Sequence, residues 1–421
     1  MFVPHTDAER EEMLRVIGVE RMEDLFTDVP EGYRFPQLDL PDRMTEMEIM
    51  RELREISSGN ASTHDLACFL GAGAYHHYIP TAVDSIIRRG EFLTAYTPYQ
   101  PEVSQGTLQA VFEYQSLIAA LTGMEVSNAS HYDGATAAAE AVIMAYHNFR
   151  GKRGQLVLSP SVNPQYRETI RTYMQGYDNL SIVGDTDGVD PLGGPDTLRP
   201  FINQDTCLVL VQYPDFFGRI YDYTELVKAA HEVGALVAVA VNPLSLGLLK
   251  PPGEFGADIV VGEGQPLGIP LSYGGPYLGI FATKKEYVRR LAGRLVGETI
   301  DKEGRRAYVL TLTAREQHIR REKATSNICT NQGLIALAAT VYMSLLGKQG
   351  VRQVAELCYL KAHYTAQSID NLPGFSVNLD APFFHEFIVR CPESTSVDEI
   401  NAHLLDEGIL GGYDLEKDYP G

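Results

Sequence analysis

The sequence predicts an α/β protein: a large domain on a mostly parallel sheet, a small C-terminal α+β domain and a helical N-terminal arm. Three observations predict it. Short, wholly apolar runs alternate with helix-patterned segments through the middle of the chain, the pattern of strands covered on both faces. Residues 1–60 are charge-rich and broken by Pro30, Pro36 and Pro41, with too little apolar face to bury alone. After residue 315 the pattern changes to long helices and then short strands. The expected domains are therefore an arm over 1–60, the large domain over 61–315 and the small domain over 316–421.

In the arm, charge-rich helical pieces are expected at Asp7–Ile17 and Thr45–Ile56, wrapping a partner or the main body. From Gln105, Leu108, Val111, Phe112, Ile118 and Leu121 recur at helical spacing until Gly123 ends the run. Asp133-Gly134 opens an Ala-rich helix that ends near Arg150-Gly151. Strands are expected at Leu156–Leu158, Leu180–Val183, Cys207–Gln212, Ala235–Val241, Ile259–Val261 and Leu278–Ala282. A helix over Tyr166–Met174 separates the first two, and Asp222 with Glu225 predicts a capping box for a helix through Val233. Beyond them come helices at Gly333–Leu346 and Arg352–Ile369, strands at Phe375–Leu379 and Phe384–Val389, and a helix capped by Ser396 with Glu399. The chain stops at Pro420-Gly421 without a last strand, which predicts a truncated end.

Composition excludes some classes. Lys plus Arg total 35 against 55 Asp plus Glu, a net charge of -20, opposite in sign to what phosphate backbones or anionic membranes attract. No apolar run reaches the ~18 residues of a membrane span, and the N-terminus shows no secretory signal. Cys68, Cys207, Cys329, Cys358 and Cys391 are scattered and odd in number, which predicts reduced thiols in a cytoplasm.

Four stretches invite a chemical reading. Gly71-Ala72-Gly73 lacks the third glycine of a dinucleotide loop, and His76-His77 are adjacent residues that point apart, so neither predicts a nucleotide or metal site. The small, polar Ser127–Thr136 stretch leads into a helix N-terminus, which attracts anions, but the Asp133 carboxylate would take the same donors. Tyr96–Gln105 is stiffened by Pro98 and Pro101 and carries tyrosines, a threonine, a glutamine and a glutamate; it suits either ligand positioning or a packed surface loop. Arg315–Lys323 reads as a mixed-charge helix with a solvated face.

Tyr96 to Gly106, Ala135–Ala141, Tyr273-Gly274-Gly275-Pro276 and Arg315 to Cys329 together resemble the N-terminal half of the glycine cleavage system P-protein, over essentially the whole chain. In some bacteria that half is a separate polypeptide. The resemblance implies the aspartate-aminotransferase-like fold of fold-type I pyridoxal-phosphate (PLP) enzymes. It also implies an end short of the family's usual C-terminus by a strand and a helix.

An enzyme of that type needs a lysine for the coenzyme aldehyde and an acid against its pyridine nitrogen. Here Ala240 stands where the acid is expected and Gln265 where the lysine is, while Lys250, Lys284 and Lys285 fit neither place. No covalent cofactor and no metal is therefore expected on this chain. The resemblance implies that PLP lies on a partner, glycine dehydrogenase subunit 2, the other half of an α2β2 heterotetramer acting on glycine and the lipoylated H-protein. Tyr96, Thr97, Tyr99, Gln100 and Glu102 are expected to reach the partner's active site. Arg320, Arg321 and Lys323 are candidates for the lipoyl entrance or a small-domain hinge. Two alternatives stay open at this point: a self-sufficient PLP enzyme using another lysine, and a non-catalytic scaffold.

Overall fold

The computed structural model describes residues 4–186 and 188–420. The chain forms two compact units, Met1–Ser62 and Thr63–Gly421. In the first, helices α1 (Asp7–Ile17) and α2 (Glu46–Ser58) each begin with a capping box, Thr6 with Glu9 and Thr45 with Glu48. Each box satisfies two otherwise orphaned N–H groups. Neither helix buries a residue.

In the second unit, β1 (Ala67–Cys68) precedes α3 (Thr81–Ile87), α4 (Gly90–Leu93) and the long α5 (Gln105–Thr122). Gly123, at φ 70°, ends α5. Next come β2 (Val126–Ser127), α6 (Gly134–Asn148), β3 (Gln155–Leu158), α7 (Pro164–Met174), β4 (Ser181–Val183) and β5 (Thr206–Tyr213). They lead to α8 (Thr224–Glu232), β6 (Leu236–Val241), β7 (Ile259–Glu263) and β8 (Gly279–Thr283).

Seven of these strands make one sheet in the order β2-β8-β7-β6-β5-β3-β4. The five from β7 to β4 are parallel, and at one edge β8 pairs antiparallel with both β7 and β2. The strand alternation sorts side chains to two cores. Val209, Val211, Val237, Val239 and Val260 face one way, against Tyr114 and Ile118 of α5 and Leu226 of α8. Leu208, Leu210, Ala238, Ala240 and Val261 face the other way, against the Ala-rich side of α6 and Ile170 of α7.

The remaining elements are β9 (Val296–Ile300), β10 (Arg306–Leu310), the single-turn α9 (Gln317–Arg320), α10 (Gly333–Asp370), β11 (Ser376–Val377), β12 (Val389–Arg390), α11 (Val397–Asp406) and β13 (Ile409–Leu410). β9 and β10 form a hairpin, and two glutamines of α5 bond to its backbone as a strand would. Gln105 Oε1 accepts from Tyr308 N and its Nε2 donates to Tyr308 O, both at 2.9 Å. Gln115 does the same with Val296 N and O, at 2.9 and 3.0 Å. α10 is long and apolar enough to cross a membrane by composition; it is broken at Gly347, and Ala336, Ala338, Ala339, Tyr342 and Met343 pack into the core.

The structure corrects three local expectations. Asp222 and Glu225 do not form a capping box: Asp222 accepts from Thr224 N and Oγ1 in a local turn, while Glu225 pairs with Arg199. The strands expected at Phe375–Leu379 and Phe384–Val389 shrink to the two-residue pair β11–β12, because the backbone at Pro382 and Phe384 bonds instead to Ile220 and Gly218. The C-terminal stretch does contain a strand, β13, which pairs in parallel with β1.

Candidate functional site

Two clusters collect the residues of interest in the second unit. The first lies past the end of β7. Gln265 is buried, and its amide is nearly saturated: Nε2 donates to Tyr75 O (2.9 Å) and Ile269 O (2.7 Å), and Oε1 accepts from Tyr75 N (2.9 Å). The segment carrying Tyr75 is pinned from the other side by Glu386. That carboxylate accepts from Ala72 N at 2.8 Å and from the Tyr75 hydroxyl at 2.7 Å, and burial pushes it up to about 7. The Gly71-Ala72-Gly73 turn therefore docks on a side chain of its own fold. His77 lies in the same region, lowered to about 4 by burial.

Glu263, at the tip of β7, accepts three backbone N–H groups. Gly134 N reaches Oε2 at 2.9 Å; Gln265 N and Leu278 N reach Oε1 at 2.9 and 3.0 Å. Burial raises this carboxyl to about 7 against the opposing pull of those bonds. Asp133 caps the same helix, accepting from Thr136 N at 2.8 Å, so the N-terminus of α6 is capped as the Asp133 position suggested. Ala240, fully buried, faces the α6 side of the sheet.

As a place for PLP, this end of the sheet does not fit. Gln265 offers no amine, Ala240 no acid, and two carboxylates already occupy the donors that would hold a phosphate. Lys250 and Lys285 are exposed, and Lys284 is engaged with Asp258.

The second cluster joins the Tyr96–Gln105 loop to the Arg315–Cys329 stretch. Arg294, 2% exposed, is the junction. Its Nη1 donates to Thr330 Oγ1 (2.9 Å) and Asn331 Oδ1 (3.2 Å); its Nη2 donates to Cys329 O (2.7 Å) and the Tyr99 hydroxyl (3.2 Å). The guanidinium also lies 5.6 Å from the Tyr99 ring centre, and His318 stands against the same ring. Gln105 fixes the loop base through Pro101 O and Tyr308. Above that base Tyr96 is 81% and Tyr99 50% exposed, Gln100 and Glu102 are exposed, and Thr97 is half-buried.

The mixed-charge helix expected over Arg315–Lys323 is not one helix. It breaks into two 3-10 turns around α9, with Arg321 at φ 53°. Nor is it a solvated face throughout: Arg315 Nε and Nη2 and Glu316 Oε1 are enclosed without hydrogen-bond partners, while Arg320, Arg321 and Lys323 are exposed. Ser326 donates to Glu140 of α6 at 2.7 Å, and burial raises Glu140 to about 7.

Sequence reasoning missed Arg294, Glu263, Tyr75 and Glu386. Arg294 left one signal, a lone cation in the apolar run Leu291–Val296. Glu263, an acid between two glycines at a strand end, left another. Tyr75 and Glu386 left none, because their meeting spans 311 positions.

The family described as "Glycine cleavage system P-protein" matches residues 1–418. A "probable glycine dehydrogenase (decarboxylating) subunit 1" of Thermomicrobium roseum is 58% identical over 100% of this chain and 93% of its own length. One of Desulforamulus reducens is 52% identical, over 100% and 93%. A crystal structure of an inhibitor-bound glycine decarboxylase (P-protein) of the glycine cleavage system superposes with a TM-score of 0.89 at 44% identity, over 99% of this chain and 93% of that one. A glutamate decarboxylase of Lactobacillus brevis, 13% identical with a TM-score of 0.65 over 90% and 86%, shares the fold. The fold is thus that of the fold-type I PLP enzymes, as the resemblance implied. Motifs, fold and near-complete coverage agree, and the chain belongs to the glycine cleavage system P-protein family.

Proposed function

We propose that this chain is the subunit of a two-subunit glycine dehydrogenase (decarboxylating) that holds no PLP itself and completes an active site whose coenzyme lysine lies on subunit 2. The observation that carries this reading is the Gln265 amide, engaged by Tyr75 and Ile269 where an amine would be needed. The subunit 1 names of the relatives support it.

On the companion subunit, PLP supplies the electron sink for decarboxylation. This chain's share is positioning and exclusion of water. Tyr96, Tyr99, Gln100 and Glu102, with Thr97 beneath them, present hydroxyl, amide and carboxylate groups from a loop stiffened at both ends. The exposed Arg320, Arg321 and Lys323 follow in sequence on His318, which stands against the Tyr99 ring, and shape the approach of the H-protein lipoyl arm or a small-domain hinge. The expected assembly is an α2β2 heterotetramer in the cytoplasm.

Expressed alone and reduced with borohydride, the chain is expected to yield no pyridoxyl-lysine peptide and to leave glycine intact. Together with a lysine-bearing subunit 2 and lipoylated H-protein, the complex is expected to release CO2 from glycine. A pyridoxyl adduct on Lys250, Lys284 or Lys285 would overturn the proposal.

A further inference from the structure

Tyr273 is 95% exposed, and its side chain makes no hydrogen bond or ring contact among the described residues. The backbone beneath it is strained. Ser272, Tyr273, Gly274 and Gly275 all take positive φ, at 45°, 54°, 101° and 150°. Glycine adopts that region freely, but a Cβ crowds the carbonyl there, so Ser272 and Tyr273 hold conformations unfavourable to them. The turn is tied in place all the same. Gly274 N donates to Leu271 O at 3.0 Å, Gly275 N to Ser272 O at 3.2 Å, and the Tyr277 hydroxyl to Leu271 O at 2.9 Å. No contact of the Tyr273 ring within this chain offsets the strain. Backbone strain of this kind is kept where the group it presents is used, at sites, clamps and switches.

The place of the turn says what the ring meets. The turn joins β7 to β8, past the carboxyl end of the parallel strands, where open α/β sheets put their sites. Side chains of this chain already fill that end, through Gln265 and Glu263. The Tyr96–Gln105 loop is fixed to the same corner. Arg294, which holds Tyr99, accepts from Ala129 N through its carbonyl at 2.9 Å; two residues on, His131 N donates to Gly279 O at 2.8 Å, three residues past Pro276. Ala129–His131 thus links the turn to the loop already assigned to the companion subunit.

We propose that Tyr273 is an anchor for subunit 2: the strained turn holds the ring out so that it buries against the companion subunit, continuing the interface begun by Tyr96–Glu102. A tyrosine on a rigid support loses little freedom when a partner covers it, which is why such residues carry a large share of interface affinity. The inference rests on the subunit assignment above and adds to it a contact residue outside the Tyr96–Glu102 loop.

The test pairs two measurements on the full chain: thermal unfolding alone, and dissociation on dilution of its complex with a lysine-bearing subunit 2. Tyr273→Gly removes the ring and relieves the backbone; Tyr273→Asn removes the ring and keeps a side chain that tolerates positive φ. Alone, at least one of the two is expected to melt at or above the parent's Tm. In the complex, that variant is expected to dissociate about tenfold faster or more. Dissociation at the parent's rate overturns the proposal and leaves the subunit assignment standing. If both variants melt clearly below the parent or fail to fold, the ring serves this chain's own fold and the proposal is likewise overturned. A parent chain that forms no complex with subunit 2 overturns the assignment and the anchor together.

Discussion

At the scale of single residues, Arg294 matters most, because one buried guanidinium holds four acceptors on two stretches far apart in sequence. Arg294→Lys keeps the charge but loses the planar fork, and is expected to cost about 2–4 kcal/mol, measured by denaturant unfolding. Tyr99→Phe removes only the hydroxyl that Arg294 donates to, about 1 kcal/mol of stability. In the reconstituted enzyme it is expected to lower kcat roughly tenfold, equivalent to ~1.4 kcal/mol of barrier; an unchanged kcat would return the loop to a structural role. Glu386 gives a pH signature. Its carboxyl is raised from the ordinary 4.5 to about 7 by burial, with Asp215 acting in the same direction while Tyr75 and Ala72 oppose. The fold therefore favours the protonated acid. That contribution is complete below pH 4.5 and is lost as pH rises through about 7. Glu140 and Glu263 add the same slope, and His77, lowered to about 4, has the opposite one, losing stability as acid is added below 6.5. Glu386→Gln, a permanent stand-in for the protonated acid, is expected to flatten the fall in Tm between about pH 5 and pH 8. An unaltered slope would show that Glu386 does not carry it.

At the scale of elements, the sequence was most legible where one local rule governs. α1 spans the expected Asp7–Ile17, α5 ends at Gly123, and β6 and β7 read directly as apolar runs buried on both faces. It was least legible where distant contacts override local preference. Arg315–Lys323 has helical composition, but Arg315 and Glu316 are drawn inward while Arg321 takes a positive φ, so the i,i+4 bonds stop at the single turn of α9, Arg320 N to Glu316 O and Arg321 N to Gln317 O. The candidate site divides in the same way. The Tyr96–Gln105 loop was visible from its prolines, whereas Arg294 beneath it is fixed by a tertiary contact 195 positions away. The break in α10 is a second test of local rules. Gly347 sits at φ 60° and ψ -177°, a region closed to side chains, and a Cβ there would touch nothing within 4 Å. Gly347→Ala is therefore expected to destabilise by about 1–3 kcal/mol through backbone conformation alone. A loss below ~0.5 kcal/mol would mean that the two halves of α10 realign.

At the scale of the whole molecule, the sheet and its two cores match the family's fold. Tyr75, Glu386, Gln265 and Glu263 knit the end of the sheet with internal hydrogen bonds. The result is a stable end of the sheet beneath a loop that carries exposed polar groups. None of this could be read from composition, which reports an acidic, ordered chain and no more.

The capped helices of Met1–Ser62 have a consequence of their own. No described residue of that unit falls in the buried class, although Phe26, Phe35, Ile49 and Leu53 are all apolar. Unfolding it would expose little new apolar surface, so it adds little to the heat-capacity increment of the isolated chain. Calorimetry of the chain alone should therefore return an increment scaled to Thr63–Gly421, and amide exchange in α1 and α2 should run close to the unprotected rate. When a companion surface covers those four side chains, the increment should rise and the exchange should slow.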